Sequence, residues 1–170
     1  MPDRAREAIF SSLGAHYETP GELPPLTVAD IFAGSGSMGL EALSRGAARC
    51  VFFENDRRAL SVLRSNIELL QAGDRATVVS RDAWLSAAQP QVRHPFDLVL
   101  LDPPYADSQD TTATGEVHRF LVNLAPHAAT SALVVFHHHE KAVYNDDPTC
   151  LWRIMDQRHY GSSAITIWTH

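Results

Sequence analysis

Cysteine and lysine are nearly missing from this 170-residue sequence. The two cysteines, Cys50 and Cys150, stand far apart and in no metal-binding or redox spacing. That excludes a disulfide framework and a thiolate metal centre, and a reducing cytoplasm is the simplest setting. Lys141 is the only lysine, so nearly all positive charge rests on arginine. The net charge of −6 argues against a generic nucleic-acid binder, which would be basic, but leaves room for a local arginine face. Arg4, Arg6, Arg57 and Arg58 are candidates for phosphate contacts and equally for solvated helix faces. No apolar run approaches the length that spans a bilayer, and no signal core follows the polar residues 2–7. Repeats and low-complexity segments are also missing. What is present is 45% hydrophobic residues, enough for one globular domain with an ample core. The expectation is a single soluble, cytoplasmic domain over 1–170, with no membrane partner and no need for more than a monomer.

Along the chain, residues 3–13 read as a short helix stopped by Gly14, with a Pro- and Gly-rich linker at 19–25, so that 1–26 form a leader to the domain. Strands at 27–32, 49–53, 76–79, 97–101 and 132–136 alternate with helices at 37–45, from Asp56 to Gly73, after Asp82, and at 116–124. A polar loop covers 106–114, and strands at 152–159 and 164–169 form a terminal hairpin through Tyr160-Gly161-Ser162. The pattern predicts an α/β protein, a three-layer α/β/α sandwich whose sheet is mostly parallel with a C-terminal antiparallel hairpin.

The chemistry gathers at strand ends. Asp97-Leu98-Val99-Leu100-Leu101 reads as a buried parallel strand that delivers Asp102-Pro103-Pro104-Tyr105 to the carboxyl edge of the sheet, where such sheets bind ligands. The prolines remove backbone donors and stiffen the turn, so the Asp102 carboxylate and the Pro103 carbonyl face out as acceptors beside an aromatic ring. Two acceptors and a ring suit the amino group of a flat heterocycle, stacked on Tyr105. The same four residues also make an ordinary acidic turn.

Gly34-Ser35-Gly36-Ser37-Met38-Gly39 fits the dinucleotide pattern, and Glu54 follows about twenty residues on, where a ribose-binding acid belongs. That loop alone leaves a nicotinamide dehydrogenase, an S-adenosylmethionine methyltransferase and a plain nucleotide-binding module open. Asp30 in the first strand would repel a pyrophosphate and suits a cationic or amino group. Asp82 at the end of the third strand can meet an adenine amino group, although it also suits a helix cap. The acids therefore favour an adenosyl amino acid, bound by Asp30, Phe32, Ala33, Gly34, Ser35, Gly36, Glu54, Asn55, Asp82 and Ala83. Ser35 and Ser37 do not complete a nucleophile elbow. His137-His138-His139-Glu140 invites a metal reading, but strand alternation turns His138 away from the other two, so no metal is expected. A substrate contact is the better use of that edge.

Together these residues resemble the class I S-adenosylmethionine-dependent methyltransferases, and more narrowly the RsmD-like family of 16S rRNA guanine-N2 methyltransferases. The resemblance is carried by Asp3-Arg4-Ala5-Arg6-Glu7-Ala8-Ile9-Phe10, Asp30-Ile31-Phe32-Ala33-Gly34-Ser35-Gly36, and Gly39-Leu40-Glu41-Ala42-Leu43-Ser44-Arg45-Gly46-Ala47. Glu54, Asn66, Asp102-Pro103-Pro104-Tyr105 and, faintly, His159-Tyr160-Gly161-Ser162-Ser163-Ala164 extend it. It implies a Rossmann-like sheet and S-adenosyl-L-methionine as cofactor. Asp102, Pro103, Pro104 and Tyr105 would be the catalytic residues, and a guanine of small-subunit rRNA, free or in an assembled particle, the substrate. Asp-Pro-Pro-Tyr also marks amino methylation of adenine, cytosine and glutamine, so those targets stay open, as does a non-catalytic nucleotide-binding module. Family members typically place a β-hairpin before the Asp-Arg segment, whereas this sequence starts at Met1-Pro2. The expectation is a domain without that hairpin and with a weaker grip on RNA. The long 106–114 loop and the triple histidine are departures from the family pattern.

Overall fold

The computed structural model describes residues 3–86 and 95–170. It divides into two compact units, Met1–Ala83 and Trp84–His170. The first contains α1 (Asp3–His16), β1 (Thr27–Ile31), α2 (Ser37–Ser44), β2 (Arg49–Phe53), α3 (Arg57–Leu69) and β3 (Ala76–Val79), and a short helix, α4 (Ala83–Ser86), begins at its end. The second contains β4 (Phe96–Leu101), α5 (Glu116–Leu124), β5 (Ala128–His139), β6 (Arg153–Tyr160) and β7 (Ser163–Thr169). Strand order is β3-β2-β1 in the first unit and β4-β5-β7-β6 in the second. The first three strands are parallel, as are β4 and β5, whereas β7 runs antiparallel to both β5 and β6. The α/β class, mostly parallel with a C-terminal antiparallel hairpin, is as the sequence predicts. No helix among the described residues is long and apolar enough to cross a membrane.

In the first unit all five β1 residues are buried, the signature of a strand covered on both faces. β2 pairs with it in register from Thr27↔Arg49 to Ile31↔Phe53. Asp56 caps α3 by accepting from the Arg58 and Ala59 amides at 3.0 and 2.8 Å, and the helix buries Leu60, Leu63 and Ile67. α1 does not stop at Gly14 but runs to His16. Gly14 serves another purpose: a Cβ there would lie 2.9 Å from the Thr19 carbonyl oxygen and 3.0 Å from the Gly21 nitrogen, where the linker folds back.

In the second unit β5 is longer than its apolar core suggests. Its histidines pair with β7 as His137↔Ile165, His138↔Ala164 and His139↔Ser163. Backbone pairing with β7 holds these polar residues in the strand, which the hydrophobic pattern alone ends at Phe136. Trp152 anchors the packing below, donating its indole N–H to the Leu121 carbonyl at 2.9 Å.

Candidate active site

Within the first unit the chain leaves β1 through Phe32, whose φ of 64° is left-handed, and turns at Gly34 (φ 56°) and Gly36 (φ 84°) into α2. Two carboxylates hold this loop from opposite sides. Glu54, one residue beyond β2, accepts the Gly34 amide on Oε2 and the Asn55 and Asp56 amides on Oε1, each at 2.8 Å. A carboxylate offers about four acceptor sites, so these bonds orient Glu54 without exhausting it. Asp30, 2% exposed, accepts the Gly39 amide on Oδ2 at 2.8 Å. A Cβ at Gly39 would come within 2.4 Å of the Phe52 ring and 2.6 Å of Cys50 Sγ, so the third glycine of the motif serves helix–strand contact. Burial, and then the charge of Asp30, push the Cys50 thiol well up from its ordinary pKa. Asn66 of α3 donates to the Ser35 carbonyl at 2.9 Å and closes the loop's far side. At Gly34 itself an added Cβ would meet nothing within 4 Å, so the loop opens onto free space beside the Glu54 carboxylate.

Within the second unit Asp102 follows β4, and its side chain is 26% exposed. Pro103 is buried and Pro104 exposed, with extended backbone (φ −52°, ψ 137°) that leads into a 3-10 turn at Tyr105–Ser108. Ser108 is buried, and its carbonyl accepts the Tyr144 hydroxyl at 2.7 Å, so the turn is tied to the chain beyond β5. Tyr105 keeps 39% of its surface exposed. Its ring lies 5.8 Å from that of His137 and 5.5 Å, edge-on, from that of His139. Partial burial and the Asp102 charge raise its pKa, against a hydrogen bond to Ser163. The Asp102 carboxylate is held in turn: Oδ1 lies 2.7 Å from Nδ1 of His137. The result is a firmly placed acceptor beside an available aromatic face, suited to binding a planar amine.

The family model described as Conserved hypothetical protein 95 matches residues 1–169. The chain belongs to that family. Its RsmD-like character is borne out by Ribosomal RNA small subunit methyltransferase D of Escherichia coli K12, 39% identical over 103 residues, which are 61% of this chain and 48% of that protein. The chain spans about half the length of the curated relatives it matches. A conserved hypothetical protein of Streptococcus pyogenes superposes with a TM-score of 0.75 at 28% identity, covering 93% of this chain and 94% of that one. An RNA methyltransferase of Salinibacter ruber, solved with S-adenosyl-L-homocysteine, superposes with a TM-score of 0.66 over 99% of this chain and 92% of its own. At 15% identity that likeness concerns the fold alone; a putative methyltransferase of Escherichia coli, 29% identical, superposes with a TM-score of 0.79 over 99% of this chain and 84% of its own, and the fold is the Rossmann-like class I methyltransferase one.

In this member of the Conserved hypothetical protein 95 family, Phe32, Ala33, Gly34, Ser35, Gly36 and Glu54 come together at the ends of β1 and β2 as their spacing predicts. Asn55 is exposed beside Glu54, and Asp82 lies exposed after β3, followed by buried Ala83. Asp30 faces inward to the Gly39 amide, as a brace for the loop. Arg57 and Arg58 are exposed on the first turn of α3, while the Arg4 side chain lies outside the described ones. Sequence reasoning placed His137 at this edge but missed its contact with Asp102. Its signal was register: Leu101 pairs with Phe136, so the next residues on the two parallel strands are Asp102 and His137.

Proposed function

We propose that this protein transfers a methyl group from S-adenosyl-L-methionine to an exocyclic amine, the N2 of a guanine in small-subunit rRNA. The observation that carries the reading is the Asp102 carboxylate, fixed at a strand end beside the open face of Tyr105. The name of the E. coli relative supports rRNA as the substrate class, and the S-adenosyl-L-homocysteine in the Salinibacter protein supports the cofactor. The residues fit that cofactor. Glu54 retains acceptor capacity on Oε2 for a ribose hydroxyl, and Gly34 leaves the space above it clear. Asp82 and the adjacent Ala83 backbone would face its adenine, and Asp30 would act through the loop it braces. When bound, S-adenosylmethionine supplies an electrophilic methyl carbon on sulfur that is already a good leaving group.

The chain's own residues do the rest. The amine is a poor nucleophile because its lone pair is delocalised into the ring. By accepting its N–H bonds, Asp102 and the Pro103 carbonyl hold the nitrogen in the pyramidal geometry of attack and aim its lone pair. Stacking on Tyr105 holds the base plane, as aromatic rings hold unstacked bases in other nucleic-acid sites. As positive charge grows on nitrogen, the Asp102 carboxylate stabilises it and takes the departing proton.

The test is transfer of labelled methyl to small ribosomal subunits that lack the modification, followed by nucleoside mass analysis. N2-methylguanosine is the expected product. Label on another base or on protein would overturn the guanine assignment and keep the transferase. Cofactor binding without any transfer would reduce the chain to a nucleotide-binding module.

A further inference from the structure

We propose that His137 is the positioning residue for Asp102: a neutral imidazole that donates its Nδ1–H to the carboxylate and fixes its orientation toward the amine. This rests on the function proposed above. An ionised carboxylate has only lone pairs, so the hydrogen in the 2.7 Å contact between Nδ1 and Oδ1 belongs to the histidine. Nε2 is buried and has no hydrogen-bond partner among the described residues. A protonated ring would bury a second N–H at Nε2 with no acceptor among the described residues, whereas a neutral ring leaves only an unfilled lone pair there. The neutral Nδ1–H form is therefore the one the surroundings tolerate. In that form Nδ1 already bears its hydrogen, so His137 cannot receive the proton that leaves the amine. It aims Asp102 and does not relay for it.

The neighbouring histidine shows what a structural role looks like in this strand. His138 uses both nitrogens within the fold, Nδ1 against the His139 carbonyl at 3.0 Å and Nε2 against Thr166 Oγ1 at 2.9 Å. His137, 3% exposed, makes one side-chain hydrogen bond among the described residues, and that bond goes to Asp102. Both partners follow directly on the last pair of the β4–β5 ladder, Leu101↔Phe136, and His137 is held further by its pairing with Ile165 of β7, which is how a side chain is kept in place to a fraction of an ångström. The same imidazole lies 5.8 Å from the Tyr105 ring, so one buried side chain borders both the acceptor and the stacking face.

The test uses the full chain and three variants, with kcat and KM on subunits lacking the modification, cofactor Kd, thermal melting and histidine 15N shifts. In His137→Leu, kcat should fall about 10- to 100-fold, as for a catalytic group misplaced by about 1 Å. Cofactor Kd and KM should stay within about twofold, because only the attack geometry is disturbed. Melting should fall by no more than roughly 10 °C, the lost bond to Asp102 being partly offset by removal of the unfilled Nε2. In His137→Asn the amide nitrogen hangs on Cγ as Nδ1 does and should recover most of kcat, whereas His137→Gln, one carbon longer, should not. The wild-type shifts should show hydrogen on Nδ1 of His137 and none on Nε2. His137→Leu with wild-type turnover, His137→Asn no better than His137→Leu, or an active wild type carrying hydrogen on Nε2 would each overturn this role alone. A wild type that methylates nothing would overturn the proposed function, and this role with it.

Discussion

Replacing Gly39 by alanine would place a methyl group 2.4 Å from the Phe52 ring, 2.6 Å from Cys50 Sγ and 2.9 Å from Asp30 Oδ2. None of these neighbours can move freely: Phe52 and Cys50 are fully buried on β2, and Asp30 is buried on β1. Overpacking of that kind costs about 1–3 kcal/mol. Displacing Asp30 also breaks its bond to the Gly39 amide, worth about 1.5–3 kcal/mol for a charged acceptor. Alanine returns about 1 kcal/mol through its helix propensity, because Gly39 lies within α2. The net loss is roughly 1.5–5 kcal/mol, or roughly 3–20 °C in melting temperature for a chain of this size. Gly34→Ala is the control. Its Cβ meets nothing, and only the left-handed backbone opposes it, at about 1–2 kcal/mol. Thermal unfolding by circular dichroism compares the two. Gly39→Ala melting within about 2 °C of wild type, or less damaging than Gly34→Ala, would refute the account of Asp30 and Gly39 as the brace of the loop.

Asp102→Ala should lower kcat by about 100-fold or more while leaving cofactor Kd unchanged, and equal losses in both would remove Asp102 from the chemical step. Glu54→Ala should raise cofactor Kd about 10- to 100-fold, one charged hydrogen bond's worth, as read by calorimetric titration; unaltered affinity would refute the ribose role. Burial lowers the His138 pKa from its ordinary 6.5 to about 4, so between those values the unfolded chain binds a proton that the folded one refuses. His138 thus contributes stability at neutral pH that is lost as pH falls from about 6.5 to about 4. Urea midpoints across that window should fall more steeply for wild type than for His138→Gln, and equal slopes would exclude the effect.

Much of this architecture was legible in the residues because apolar runs and glycine punctuation obey short-range rules. Glu54 could be placed from its spacing after the glycine loop, and Asp56 as a cap from its position before an apolar stripe. Long-range pairing was not legible. The apolar run in β5 stops at Phe136, yet the strand continues to His139 because β7 supplies backbone partners that local composition cannot reveal. For the same reason the contact between Asp102 and His137 was hidden until register was known. Asp30 illustrates another limit. Its position in the first strand was clear, but the direction of its carboxylate depends on where α2 lies, and that is decided by the packing of Gly39 on β2.

The scarcity of cysteine has a practical corollary. Each unit holds one free, buried thiol, Cys50 in the first and Cys150 in the second. A thiol reagent reaches such a side chain only when the surrounding structure opens, so the labelling rate at each position is a clock for the opening of its own unit. The two can be timed together in one unmodified sample, and a ligand that steadies the glycine loop should slow the clock at Cys50.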